Sequence, residues 1–175
     1  IDQAAVLTST GLFAWGAVGS LFHSSLTTSP GVAQITPPVG SSPIGLPLGL
    51  EPQDVKMLFA VYRTLVLLSK SGDVYVLGYL TGALDGNGAA QGTTGMNTWQ
   101  RVKLNATTYL SGVKNVRGQS ASANYNAFVA ETNDGKMYTW GASTFLGDGT
   151  GAAYRSYATE MTLPDDVKTK GIKMI

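Results

Sequence analysis

The chain has 175 residues, of which 43% are hydrophobic and only 13% charged, against roughly 25% charged in an ordinary globular protein; it can bury a core and is not a disordered segment. Twelve Lys and Arg against eleven Asp and Glu leave a formal net charge of +1, which excludes a strongly basic nucleic-acid binder and an acidic tail. There is no Cys, so a disulfide scaffold, a thiolate zinc site and a Cys nucleophile are excluded, and no apolar run nears the roughly 20 residues that insert into a bilayer as a helix.

The first residue is Ile1, and Ile1-Asp2-Gln3 lacks the basic and apolar regions of a signal peptide; the expectation is a processed chain or an excised piece. Ala4-Ala5-Val6-Leu7 is a short apolar run, followed by Thr10-Gly11-Leu12-Phe13-Ala14-Trp15-Gly16. Two such runs around a small polar turn predict a β-hairpin. His23, beside Ser24 and Ser25, is the chain's one imidazole; with no partner carboxylate nearby in sequence it does not suggest a triad. Residues 29–52 hold six of the seven prolines, namely Pro30, Pro37, Pro38, Pro43, Pro47 and Pro52, and stay uncharged until Glu51. They predict a semi-rigid, polyproline-like excursion between strands, either a plain surface loop or a binding or covering loop.

Val55-Lys56-Met57-Leu58 alternates as a half-buried strand should. A second hairpin follows, from the run Leu65 to Leu68 through Lys70-Ser71-Gly72 to Asp73-Val74-Tyr75-Val76-Leu77-Gly78. Asp85 and Asn87 sit in a Gly-rich loop, as Asp148 does later; with so few carboxylates they read as turn formers rather than calcium ligands. The glycines between 82 and 95 lack the Lys-Ser/Thr ending of a phosphate loop. Trp99-Gln100-Arg101-Val102-Lys103-Leu104 predicts a strand, and Asn105-Ala106-Thr107 fits a glycosylation sequon. Val113-Lys114-Asn115-Val116 repeats the alternating strand, and Phe128 to Ala130, Asn133-Asp134-Gly135 and Lys136-Met137-Tyr138-Thr139-Trp140-Gly141 repeat the hairpin. Thr159-Glu160-Met161-Thr162-Leu163-Pro164 is aligned with the strand at Trp99, and Ile172-Lys173-Met174-Ile175 with the strand at Val55.

Gly16, Gly78 and Gly141 therefore close equivalent hairpins about 60 residues apart. Each unit carries up to four short strand signals and Gly-rich connections, without an amphipathic helix of useful length. That is the blade pattern of a β-propeller, and blades of this kind bury their faces only against neighbours. The predicted fold is all-β, with four-stranded blades in about three repeats of roughly 60 residues, forming a partial ring or part of a larger propeller. The units run approximately over 1–54, 55–112 and 113–171, with 172–175 starting the next.

The run D-G-x-x-Y-x-W-G, then L-G-x-G, a strand, and V-K-x-V resembles the repeats of the regulator of chromosome condensation family. The resemblance is strongest over 113–149, moderate over 65–88 and weaker over 4–22. It implies propeller blades, seven to a ring in that family. The family usually carries a His at the start of the strand before the D-G turn; the matching positions here are Gln3, Thr64 and Ala127. Its exchange-factor residues thus have no matched positions, and exchange activity is not carried over. Repeats similar to these are also found in bacterial adhesin-type surface proteins.

Three blades cannot close a ring that needs about 4–8. The chain starts and stops at the same phase of the repeat, which predicts either a piece of a longer propeller, or self-association of two chains into six blades, or an open stack. No catalytic residue, metal or cofactor is expected: Glu51, Glu131 and Glu160 form no glycosidase-like motif. Trp15 and Trp140 read as structural by repeat position. Trp99, with no counterpart in the other units, and the loop cluster Tyr154, Arg155 and Tyr157 are the candidate ligand-binding residues, since aromatic and Arg side chains dominate binding hot spots. Low charge and abundant Gly, Ser, Thr and Asn predict a non-catalytic binding module of an extracellular or cell-surface protein of bacterial type, recognising a protein or glycan through loops. The alternative is an intracellular regulatory propeller binding a small GTPase or chromatin.

Overall fold

The computed structural model describes residues 3–17, 31–78, 85–89, 96–120, 126–142, 146–173 and 175. His23 and Leu84 lie outside them. The strands are β1 (Gln3–Thr8), β2 (Gly11–Gly16), β3 (Ala33–Gln34), β4 (Val55–Val61), β5 (Thr64–Ser69), β6 (Val74–Gly78), β7 (Met96–Arg101), β8 (Val113–Ser120), β9 (Asn126–Thr132), β10 (Met137–Ala142) and β11 (Tyr154–Glu160). They form three antiparallel sheets in sequential order, β1-β2-β3, β4-β5-β6-β7 and β8-β9-β10-β11. This is the all-β blade architecture, and the sheets are referred to as blades 1, 2 and 3.

The repeat is visible in the pairing itself. Thr64 opposes Gly78 and Leu67 opposes Tyr75 in blade 2; Ala127 opposes Gly141 and Ala130 opposes Tyr138 in blade 3; Gln3 opposes Gly16 and Val6 opposes Phe13 in blade 1. Both complete blades also carry two irregularities at matching places. One falls at Lys56 and at Lys114, where β4 and β8 shift register on β5 and β9. The other falls around Leu77 and Trp140, where the outer strand slips before Gly78 and Gly141. Bulges like these bend and twist a strand, and their recurrence shows that both sheets are built on one plan.

A hydroxyl staples the β1–β2, β5–β6 and β9–β10 turns. Thr8 Oγ1 lies 2.9 Å from Thr10 Oγ1, Ser69 Oγ lies 2.7 Å from Ser71 Oγ, and Thr132 Oγ1 donates to Asp134. Short hydroxyl side chains satisfy turn groups in this way at little entropic cost.

Packing runs from blade to blade. Between blades 1 and 2 lie Leu12, Ala14, Ile35, Leu65 and Leu77. Between blades 2 and 3 lie Val66, Leu68, Val74, Val76, Phe128 and Trp140, with the Phe128 and Trp140 rings stacked at 5.4 Å. Gln3 Nε2 donates to Tyr62 O at 2.5 Å, and Lys56 Nζ to Lys114 O at 2.7 Å, so polar links cross both seams. Of the three positions where the resembling family carries His, the one in blade 1 thus holds a glutamine that ties blade 1 to blade 2.

Four expectations need correction. The first sheet has three strands, not four: the described residues hold no counterpart there of β4 or β8. Residues 29–52 were expected as an excursion, but their described part is anchored. Ala33–Gln34 pairs with β2, Ile35 and Leu46 are buried, and turns at Ser41, Gly45 and Leu50 satisfy the backbone. Prolines shape those turns because they lack a donor and fix φ.

The third correction concerns the strand expected over 159–164. It ends at Glu160 because Pro164 and the acidic pair Asp165 and Asp166 start the helix α1 (Asp165–Lys170), whose last turn carries Lys168 and Lys170, as the helix dipole favours. Its register is also shifted by one from the expected alignment. Gln100 opposes Val76 and Thr159 opposes Thr139, so Trp99 corresponds to Ala158 rather than Thr159; a one-residue slip exchanges the two faces of a strand. Fourth, Ile172, Lys173 and Ile175 are not in a strand, since no second strand lies beside them among the described residues.

Gly141 has φ +107, and a Cβ there would lie 2.4 Å from Asn126 O, whereas Gly135 has φ +82 and open space. Gly141→Ala should cost about 3 kcal/mol, from backbone strain and the clash together, and Gly135→Ala about 1 kcal/mol. Urea unfolding of both variants checks this, and equal costs would contradict the described close approach.

Candidate functional site

A cavity of about 270 Å³ opens beside the outer strand of blade 2. Tyr75, Trp99, Arg101, Lys103 and Tyr109 line it, with Pro47 and Leu48 from the anchored proline-rich segment. The strand pleat places Arg101 two residues before Lys103, and the chain returns through Asn105 so that Lys103 bridges to Tyr109. Asn105 Oδ1 accepts from the backbone of Thr107 and Thr108 at 3.0 and 2.9 Å. The sequon asparagine is therefore the turn former that brings Tyr109 back.

Both cations stand over the Tyr109 ring, Arg101 at 4.5 Å and Lys103 at 5.5 Å from its centroid. Arg101 also pairs with Asp73. The corresponding pair in blade 3 is reversed in sign: Lys136 Nζ meets Glu160 Oε2 at 3.1 Å. The shared plan thus fixes an ion pair between the third and fourth strands, and blade 2 is the one that puts its cation on the outer strand. Tyr75 is held above the ordinary phenol pKa, first by burial and then by the Asp73 carboxylate, so its hydroxyl stays a hydrogen-bond donor. The cavity therefore offers two cations against one carboxylate, plus aromatic walls. It suits an anionic group flanked by apolar surface.

Trp99 lies at this cavity, but its indole Nε1 donates to Gly45 O at 2.7 Å, and its ring packs on the seam between blades 1 and 2. It fixes the wall more than it offers a free contact. Tyr154, Arg155 and Tyr157 do not line the cavity, and they belong to β11 rather than to a loop. The reason is the bulge at Trp140, which lets β11 pair back to Ala142. Arg155 Nε pairs with Asp148 at 2.7 Å, Tyr154 is exposed, and the Tyr157 hydroxyl lies where a side chain on Gly88 would stand. Arg101, Lys103 and Tyr109 were missed. The period-two spacing of the two cations was a readable signal; the return of Tyr109 through the Asn105 turn was not.

A larger cavity of about 600 Å³ lies between blade 3 and the α1 segment, bordered by Glu131, Met137, Leu163, Val167 and Ile172. Among the described residues no group of three His, Cys, Asp or Glu could hold a metal, and no helix is long and apolar enough to cross a membrane.

No protein-family model matches the chain, and no curated protein matches it. Solved structures do. Human WBSCR16 superposes with a TM-score of 0.54 at 19% identity, covering 93% of this chain and 38% of its own. Prp20p from Saccharomyces cerevisiae, described with its binding to Gsp1p and histones, superposes with a TM-score of 0.55 at 18% identity, covering 94% of this chain and 37% of its own. The fold is that of a propeller segment of the regulator of chromosome condensation type. The chain spans well under half the length of either neighbour.

The loop carboxylates act locally. Asp85 Oδ1 accepts from Asn87 N at 3.1 Å, while Oδ2 is buried without a partner, and burial raises its pKa. Asp148 is also opposed by burial, yet its bonds to Thr150 and its pairing with Arg155 outweigh that and lower its pKa. A raised carboxyl pKa stabilises the fold fully below the unfolded-state value and loses that stabilisation as pH rises through the folded value. Asp85→Asn, which removes the charge at neutral pH, should therefore raise the melting temperature at pH 7, and the gap from the parent should narrow as pH falls towards 4. Melting curves across that range test this; a gap that widens on acidification would refute it.

Proposed function

We propose that this chain is a non-catalytic binding segment of a propeller, which seats an acidic side chain of a protein partner in the cation and aromatic pocket of blade 2. The carrying observation is the convergence of Arg101 and Lys103 over Tyr109, in a cavity walled by the anchored segment at Pro47 and Leu48. Long loops fixed on a rigid scaffold are common recognition elements.

Likeness to Prp20p, described with its binding to Gsp1p and histones, supports the intracellular regulatory reading, a propeller binding a small GTPase or chromatin, over the cell-surface one. The sign of the pocket favours an acidic protein surface over a basic histone tail. The extracellular, glycan-binding reading rests on composition and on the resemblance to adhesin-type repeats, and neither neighbouring structure supports it.

An oligo-glutamate peptide is a direct probe. It should bind the chain with an affinity that falls as salt rises, and Lys103→Glu and Tyr109→Ala should each weaken it about tenfold, ~1.4 kcal/mol. Fluorescence anisotropy measures this, with oligo-lysine and a neutral oligosaccharide as comparisons. Tighter binding of either comparison ligand, unchanged by both substitutions, would overturn the reading.

A further inference from the structure

The proline-rich segment holds two turns of the same build. Pro38-Val39-Gly40-Ser41 is closed by Ser41 N donating to Pro38 O at 3.0 Å, and Pro47-Leu48-Gly49-Leu50 by Leu50 N donating to Pro47 O at 3.1 Å. Gly40 and Gly49 have φ of 75° and 83°, as the residue after the tip of a type II turn requires. A bridge between Ser41 and Pro47 joins the end of the first turn to the start of the second, and the Ser41 hydroxyl donates to Pro38 O at 2.7 Å. The two tips are thus fixed side by side.

At each tip the residue before the glycine is aliphatic and stands in water: Val39 is 82% and Leu48 69% exposed. A type II turn commonly takes Pro at that position, and its geometry does not call for a large aliphatic. The segment's apolar anchors are elsewhere, at Ile35 and Leu46, both buried. Gly40, Pro47 and Leu48 border the cavity that Arg101, Lys103 and Tyr109 line from blade 2, and Tyr109 itself is exposed. Two cations and an apolar shelf therefore meet at one opening.

We propose that the site recognises a two-part motif in its protein partner: an acidic side chain on Arg101 and Lys103, and an aliphatic side chain within two residues of it on the shelf of Val39 and Leu48. The inference rests on the reading of the pocket as a carboxylate seat and adds what stands beside the carboxylate. Two cations against the single carboxylate of Asp73 select an acidic occupant, which separates this shelf from a general apolar contact. An extended chain advances about 3.3 Å per residue, so a segment whose carboxylate reaches the cations lays its near neighbours over Leu48 at the same opening. Both tips are already ordered by the fold, so covering them loses little entropy in the receptor. Burial of aliphatic surface there adds affinity that salt does not screen.

Two peptides of equal length and charge separate the parts: oligo-glutamate with every third residue replaced by leucine, and its counterpart with serine at those places. In fluorescence anisotropy the leucine peptide should bind about tenfold more tightly. Raising the salt should weaken both peptides and leave their ratio in place. Leu48→Ser combined with Val39→Ser, at exposed turn tips, should bring the leucine peptide down to the serine one and leave the serine peptide unchanged, whereas Lys103→Glu should weaken both. Equal affinities in the parent chain, or a preference that survives the double substitution, would overturn the motif and leave the carboxylate seat intact. Failure of both peptides to bind would overturn the seat and the motif together. A parent chain that self-associates, and becomes single on Leu48→Ser, would assign the shelf to a second copy and also overturn the proposal.

Discussion

The structure hangs on one side chain in each of blades 2 and 3, the hydrophobe just before the closing glycine. Leu77 and Trp140 are fully buried against the preceding blade. A sheet of four strands with two apolar faces cannot stand alone in water, since each face leaves area exposed at about 25 cal/mol per Å². The residue that reaches furthest across the seam therefore decides whether blades stack. The bulge of the outer strand at this point, in both complete blades, is the backbone's accommodation to a bulky residue followed by a glycine. In blade 3 that glycine could not carry a Cβ, because Asn126 O lies too close.

The proposed binding site lies on the variable parts of this plan. The seams and hairpin staples recur from blade to blade, whereas the charges between the third and fourth strands reverse from Asp73–Arg101 to Lys136–Glu160. An ion pair at that place satisfies the fold in either orientation. The orientation in blade 2 also places a cation over Tyr109, and Lys103 stands over the same ring. The proline-rich segment adds the far wall and is itself held by Trp99 through Gly45. Rigid support of this kind lowers the ordering cost of binding.

Much of this was legible in the chain. The turn glycines at 11, 72 and 135 and the alternating runs at Val55 and Val113 mark hairpins and first strands because positive φ and a period of two are strict demands of the backbone. The fourth strand was less legible. Its pairing skips residues at a bulge, so sequence alignment placed Trp99 against Thr159 when the sheet places it against Ala158. The cluster of Tyr154, Arg155 and Tyr157 read as a loop for the same reason. The proline-rich segment hid its role because Ile35 and Leu46 are single buried residues among turns, without any period. The pocket was half visible: Arg101 and Lys103 share a face by spacing, but Tyr109 joins them only through a turn whose hydrogen bonds are local to Asn105.

The account stands or falls on the buried closing position. The most direct test uses a chain in which Trp15 and Trp99 are replaced by Phe, leaving Trp140 as the only tryptophan, excited at wavelengths where tyrosine does not absorb. The account predicts a blue-shifted emission with almost no quenching by iodide until the protein unfolds. Emission near that of free tryptophan in water, quenched in the native protein, would show that Trp140 does not seal a seam between blades and would contradict the stacked-blade structure.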